Sequence, residues 1–329
     1  MHISKTSSVK IPLFGVIFFS LLLAAASFYS GFSFFKSKST STVDAVTAIN
    51  AKTVFAAQKS NKPELKFFVM SFCPYGNQME DILRPVFDLV GKQADIKPQY
   101  IFEKISDLSN YCKANSGDPT QCATYVKNQY FKDEAECKNV IAQNLEKCQD
   151  TKEYIKSGDN TYYASLHGRQ EANQDVREIC AWNQTEDKKI WWNFVGNVNK
   201  SCTAQNADSC WEDQAKKAGL DTTKITDCFN KDAINLIEKE IAVTTQYKVS
   251  GSPTLILNGV NFPPETAYTQ DNTGNIKIGN KVFTQDKYRT PNVIKEAICA
   301  STNKPGKECN TVLPDPAGST AASAAGGCN

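Results

Sequence analysis

Leu65-Lys66-Phe67-Phe68-Val69-Met70-Ser71-Phe72-Cys73-Pro74-Tyr75-Gly76 is an apolar run that ends at a cysteine and opens onto a helical pattern. Met79, Ile82, Leu83, Val86, Leu89 and Val90 recur at helical spacing, with Gly91 as a stop, which predicts a buried strand followed by a helix. A cysteine at the first turn of such a helix meets unpaired backbone N–H groups and the positive end of the helix dipole. Both favour thiolate over thiol. Cys73 is therefore the candidate nucleophile, within a loop completed by Pro74, Tyr75 and Gly76. Gly76 stands where a Cys-X-X-Cys dithiol would carry its second cysteine, so the turn holds one sulfur.

Outward from this turn, residues 95–103 predict a second strand, and 106–247 read as helical with short polar breaks. Strand character returns at Thr254-Leu255-Ile256-Leu257, followed by the turn signal Asn258-Gly259. A polar excursion over 263–280 interrupts that hairpin, and Lys281 to Phe283 are expected to resume it. Thr290-Pro291 opens a last helix through Ile294 and Ile298 to Cys299. Ser252-Pro253 ahead of a central strand is unusual, because proline supplies no ladder donor.

The order strand, helix, strand, long helical excursion, strand, strand, helix is that of a thioredoxin-like α/β fold with a disulfide-rich α-helical insertion. The turn at Cys73 and the Gly251-Ser252-Pro253-Thr254 loop resemble exported DsbA-like proteins. That resemblance implies a cis proline at 253 facing Cys73, with Ser252 and Pro253 as the substrate-docking edge. Ser165-Leu166-His167-Gly168-Arg169-Gln170-Glu171, running on to Cys180, is similar to the signature of the gamma-interferon-inducible lysosomal thiol reductases. His167, Gly168, Glu171 and Cys180 match it in register, whereas Ser165, Leu166, Ala172 and Asp175 depart. The segment from Ile190 to Val195, with Cys202, Cys210, Cys228 and the helix before Cys299, resembles the lumenal part of plant vacuolar sorting receptors. Those use a related fold to bind.

Thirty-seven basic and 35 acidic residues give a net charge of +2 with no long basic block, which argues against a nucleic-acid partner. Residues 11–35 are apolar and uncharged, long enough for a transmembrane helix, after a short segment over 1–10. Ala24-Ala25-Ala26 offers a cleavage site, so a removed signal peptide competes with an uncleaved anchor. Either places the domain outside the cytoplasm: cell surface, periplasm or secretory lumen when anchored, secreted when cleaved. Residues 36–62 read as a tether, 63–310 as the folded unit and 311–329 as a disordered tail.

Twelve cysteines behind an export segment suit an oxidising compartment. With two histidines, His2 and His167, and no ligand-spaced pairs, neither a metal nor an organic cofactor is expected. Cys202 with Cys210 and Cys299 with Cys309 are spaced for short-loop bridges. Cys112, Cys122, Cys137 and Cys148 form a four-cysteine set, paired sequentially or nested, and Cys180 is left with Cys228 by elimination. Cys73 and Cys328 remain, both expected as free thiols. Cys328 ends a tail whose reach is on the order of 20 to 25 Å. It resolves a mixed disulfide on Cys73, links two chains, or is incidental. His167 either supports the thiolate as an accessory group or holds the insertion against the core.

The expectation is a membrane-tethered thiol–disulfide oxidoreductase or isomerase using a single active-site cysteine. Its partners would be exported cysteine-containing proteins or peptides, with a low-molecular-weight thiol or a membrane redox partner exchanging electrons. A non-catalytic peptide-binding or receptor-like domain is the alternative.

Overall fold

The computed structural model describes residues 53–158, 160–315 and 327–328, which include all twelve cysteines. The expected segments 1–10 and 11–35, and the tether up to residue 52, lie outside them. Among the described residues no helix is long and apolar enough to cross a membrane.

β1 (Thr53–Phe55) precedes the central strand β2 (Glu64–Val69), which leads through Cys73 into α1 (Pro74–Val90) and then β3 (Asp95–Tyr100). β2 pairs parallel with β3 from Glu64↔Asp95 to Val69↔Tyr100. Leu65, Phe67, Phe68 and Val69 are all buried, as expected of a strand covered on both faces. α1 lays Met79, Leu83, Val86 and Val90 into the core at helical spacing.

The chain then leaves the sheet. β4 (Glu103–Ile105) is followed by α2 (Leu108–Asn115), α3 (Cys122–Lys127) and α4 (Glu134–Gln149), then β5 (Ile155–Lys156) and β6 (Tyr162–Ala164). Cys112–Cys148 encloses Cys122–Cys137, the nested arrangement of a stapled helical hairpin. β4, β6 and β5 form a small sheet, and β5 and β6 lie where the sequence reads as helical. Strands of two or three residues are too short to show a period of two, and the aromatic Tyr162 and Tyr163 carry the strand preference there.

Four helices complete the excursion: α5 (Arg169–Gln184), α6 (Lys188–Ser201), α7 (Ala207–Ala218) and α8 (Thr222–Tyr247). Cys180–Cys228 joins α5 to α8, and Cys202–Cys210 closes the connection between α6 and α7. Trp192 stacks on Phe67 of β2 with ring centroids 5.5 Å apart, and Trp191 meets Trp182 edge-on at 5.1 Å. These rings weld the excursion to the central sheet, where large aromatic burial contributes most.

β7 (Thr254–Leu257) returns antiparallel to β2, and β8 (Val260–Asn261) pairs with it across Asn258-Gly259. Both turn residues take positive φ, which suits Asn-Gly in a two-residue hairpin. The sheet order is β3-β2-β7-β8. β9 (Asn275–Ile278) and β10 (Lys281–Thr284) form their own hairpin, with β1 parallel to β9. Lys281 to Phe283 therefore does not resume the β7–β8 hairpin. Ile276 and Ile278 bury one face of β9 and give β10 an adjacent partner.

α9 (Pro291–Ala300) closes the fold, and Cys299–Cys309 ties its end to the following turn. The tether boundary needs correction: β1 is part of a sheet, and Ser60 pairs with the end of α9 through Ser60 N to Ser301 O at 3.0 Å. The tail boundary shifts too. Leu313 N donates to Asn292 Oδ1 at 3.2 Å, and Asp315 meets Lys287 at 2.7 Å. Six disulfides in one chain suit an oxidising, extracytoplasmic environment.

Candidate active site

β2 ends against the insertion, and that contact sets the loop carrying the cysteine. Ser71 donates from both N and Oγ to Asp175 Oδ1, at 2.8 and 2.6 Å. Phe72 N donates to Glu171 Oε1 at 2.9 Å. Two carboxylates on one face of α5, a helical turn apart, thus anchor the two residues before Cys73. Burial, with Glu171 nearby, pushes the Asp175 carboxyl well above the usual range, so its neutral form is favoured.

His167 belongs to the same contact. Its backbone N donates to Glu171 Oε2, and its Nδ1 pairs with Glu171 Oε1, both at 2.8 Å. Burial pulls the imidazole down, but the Glu171 carboxylate outweighs it and the pKa is raised. The ring thus connects to the Cys73 loop through Glu171 and the Phe72 N–H. Glu171 and Asp175 hold the backbone leading into Cys73, a contact that sequence reasoning did not assign. The signal was present for Glu171, which matched the reductase signature in register.

Deeper in the molecule, burial pushes Glu178 up to about 7, and Glu80 is raised by burial and by Glu178. Tyr100 Oη donates to Glu178 Oε2 at 2.7 Å, and Asn199 donates to Glu80 Oε2 at 2.6 Å. Among the described residues no cluster of histidine, cysteine or acidic side chains is arranged to hold a metal ion.

Cys73 is the N-cap of α1, with extended backbone at φ −70° and ψ 117°, and Pro74 takes the first helical position. Gly76 N points at Cys73 Sγ from 3.4 Å, so a helix-end N–H is directed at the sulfur. Tyr75 lies at the rim, 36% exposed. Across the groove, Ser252-Pro253 is cis, and the Ser252 carbonyl oxygen lies 3.5 Å from Cys73 Sγ. Residues 73 and 253 are neighbours, as the DsbA resemblance implied.

Gly76 has a local reason. A Cβ there would lie 2.7 Å from Ser252 Oγ and 3.3 Å from Met70 O. Ser252 Oγ is itself held by Met70 N at 3.3 Å. The serine hydroxyl fills the space that a second cysteine of the turn would need.

The missing sulfur comes from the tail. Cys328 forms an antiparallel bridge with Ser252, donating N to Ser252 O at 2.7 Å and accepting from Ser252 N at 2.8 Å. Its sulfur is bonded to Cys73, with the two Cα atoms 6.0 Å apart across a separation of 255 residues. Among the described residues no cysteine is free, so the expected pair of free thiols at 73 and 328 is corrected. The reason is geometric: pairing with Ser252 brings the tail within ordinary disulfide range of the helix end. The other ten cysteines pair among themselves in the five bridges of the fold.

Residues 118–266 match the family described as the vacuolar sorting receptor thioredoxin-like domain. No curated protein shows significant sequence similarity to the chain. Similar solved structures include a thioredoxin-like oxidoreductase from Silicibacter pomeroyi DSS-3, at 11% identity and a TM-score of 0.35, covering 62% of this chain and 79% of that one. Another is the oxidoreductase NmDsbA1 from N. meningitidis, at 12% identity and a TM-score of 0.23, covering 63% and 76%. The family match and the strand order around Cys73 agree: the chain has a thioredoxin-like fold, interrupted by a disulfide-stapled helical insertion.

Proposed function

We propose that the protein is an extracytoplasmic thiol–disulfide oxidoreductase acting on exported cysteine-containing proteins or peptides, held at the membrane through residues 11–35. Cys73 is the nucleophile and the end of α1 its activator. The backbone of Ser252 beside Pro253 is the docking edge, and Tyr75 shapes the rim. One observation carries this reading: an extended cysteine-bearing segment already lies on the Ser252 edge with its sulfur joined to Cys73. That is the arrangement a substrate would adopt in a mixed disulfide. The helix turn contributes a single cysteine, and Cys328 supplies the second sulfur of the redox pair.

In the oxidised form, two thiols of a substrate give up two electrons and two protons. They leave as a disulfide, with Cys73 and Cys328 reduced. A low-molecular-weight disulfide or a membrane redox partner restores the bond. The test uses the full chain, oxidised, with a reduced and unfolded protein bearing one cysteine pair. Disulfide formation should be lost in Cys73→Ser. Full activity in that variant would remove the basis for the assignment.

Gly76 favours a second reading, a strand-binding module without turnover. On that reading Cys73→Ser/Cys328→Ser keeps its affinity for a Gly-Cys peptide, and the unsubstituted protein transfers no disulfide.

A further inference from the structure

We infer that external thiols reach the redox pair at Cys328, so that the tail relays electrons to a Cys73 that solvent does not touch. This rests on the exchange reading of the site. Exchange requires a thiolate to reach one of the two bonded sulfurs, and the departing thiol leaves faster when its pKa is lower. Both conditions select the same sulfur. Cys73 is 0% exposed, enclosed by the end of α1 and the Ser252 carbonyl. Cys328 is partly exposed and Gly327 is exposed. Cys73 is also the better leaving group, because Gly76 N is directed at its sulfur.

The step balances without a further reagent. An external thiolate forms a bond to Cys328 Sγ, the bond between the two sulfurs of the pair breaks, and its electron pair stays on Cys73 as thiolate. A second external thiolate then attacks the external sulfur of the tail adduct. The external disulfide departs, and Cys328 leaves as thiolate and takes a proton from solvent.

The docking edge imposes an order on substrate entry. Ser252 has one N–H and one C=O in this groove, and both are used by Cys328. A substrate strand can take them only after the tail has left, when Cys73 is the thiolate that attacks a disulfide the strand carries. Release at Cys328 therefore uncovers Cys73 and vacates the edge in a single event.

The experiment adds glutathione to an excess of the full oxidised chain, so that the second exchange cannot remove the first adduct. Samples are quenched in acid at early times, labelled with a maleimide and mapped by peptide mass. Glutathione on Cys328 with maleimide on Cys73, exceeding the opposite pattern by about tenfold or more, is the expected result. Equal adducts, or more on Cys73, overturn the relay and leave exchange at Cys73 standing. A bond between 73 and 328 that resists glutathione until the protein is unfolded overturns the relay and the exchange function together.

Discussion

Ser252 and Cys328 exchange both backbone hydrogen bonds, at 2.7 and 2.8 Å, although 76 positions separate them in the chain. The segment entering β7 and the tail thus behave as two strands of a minimal ladder, with Cys73 beneath it. On the proposed reading the groove is a docking edge, and this pairing gives it an internal occupant. It also explains why a helix turn with one cysteine still forms a disulfide.

Removing the occupant should uncover the nucleophile. In Cys328→Ser, Cys73 is expected to become alkylatable in the folded protein, with an apparent pKa well below the ~8.5 of a free thiol. The pH dependence of alkylation measures it. A sulfur that stays unreactive, or titrates at the free value, contradicts the role given to the end of α1.

Gly76→Ala tests the space taken by Ser252 Oγ. An exposed helix glycine gains about 0.5–1 kcal/mol on conversion to alanine. Here the 2.7 Å approach should reverse the sign and cost about 1–3 kcal/mol. Denaturant unfolding of Gly76→Ala, Ser252→Ala and the double variant should give a favourable coupling of about 1 kcal/mol. Stabilisation by Gly76→Ala alone would show that the hydroxyl does not limit this position.

Legibility in the sequence tracked the locality of the signals. The Cys73 turn and the Ser252-Pro253 loop were readable because each is a residue type in a position that ordinary secondary structure disfavours. The docked Cys328 was not, since an Ala-, Ser- and Gly-rich sequence has no period, and the pairing that seats it uses the backbone of Ser252. The β4-β6-β5 sheet escaped for a related reason, its strands being shorter than the pattern that reveals them. The anchoring of Ser71 by Asp175 joins positions 104 apart, which no local pattern encodes.

Asp175 itself should tolerate loss of its charge but not of its shape. Its Oδ2 has no hydrogen-bond partner, and burial favours the neutral acid. Asp175→Asn keeps an acceptor for Ser71 and is expected to be nearly neutral. Asp175→Ala leaves the buried Ser71 N–H unpaired and should cost about 1–3 kcal/mol. Equal losses in the two variants, measured by denaturant unfolding, would mean that the negative charge matters.

Glu240 supplies a pH signature. Its carboxylate accepts from Tyr100 N at 2.8 Å, and burial pushes its pKa up to about 7. The folded state therefore holds a proton that the unfolded chain releases near pH 4.3. The resulting stabilisation is full below that value and is lost as pH rises through about 7, a change on the order of 3 kcal/mol. Glu178, also pushed up to about 7, acts in the same direction. Glu240→Gln keeps the acceptor and should flatten the fall in stability between about pH 4.5 and 7. An unchanged slope would place the titration elsewhere.

Peptide mapping of the full, unreduced chain is the most direct check on the account. Alkylation before digestion should label no cysteine, and one cross-linked peptide pair should join position 73 to position 328. Recovery of both cysteines as separate alkylated peptides would contradict it, since the tail would then not occupy the groove.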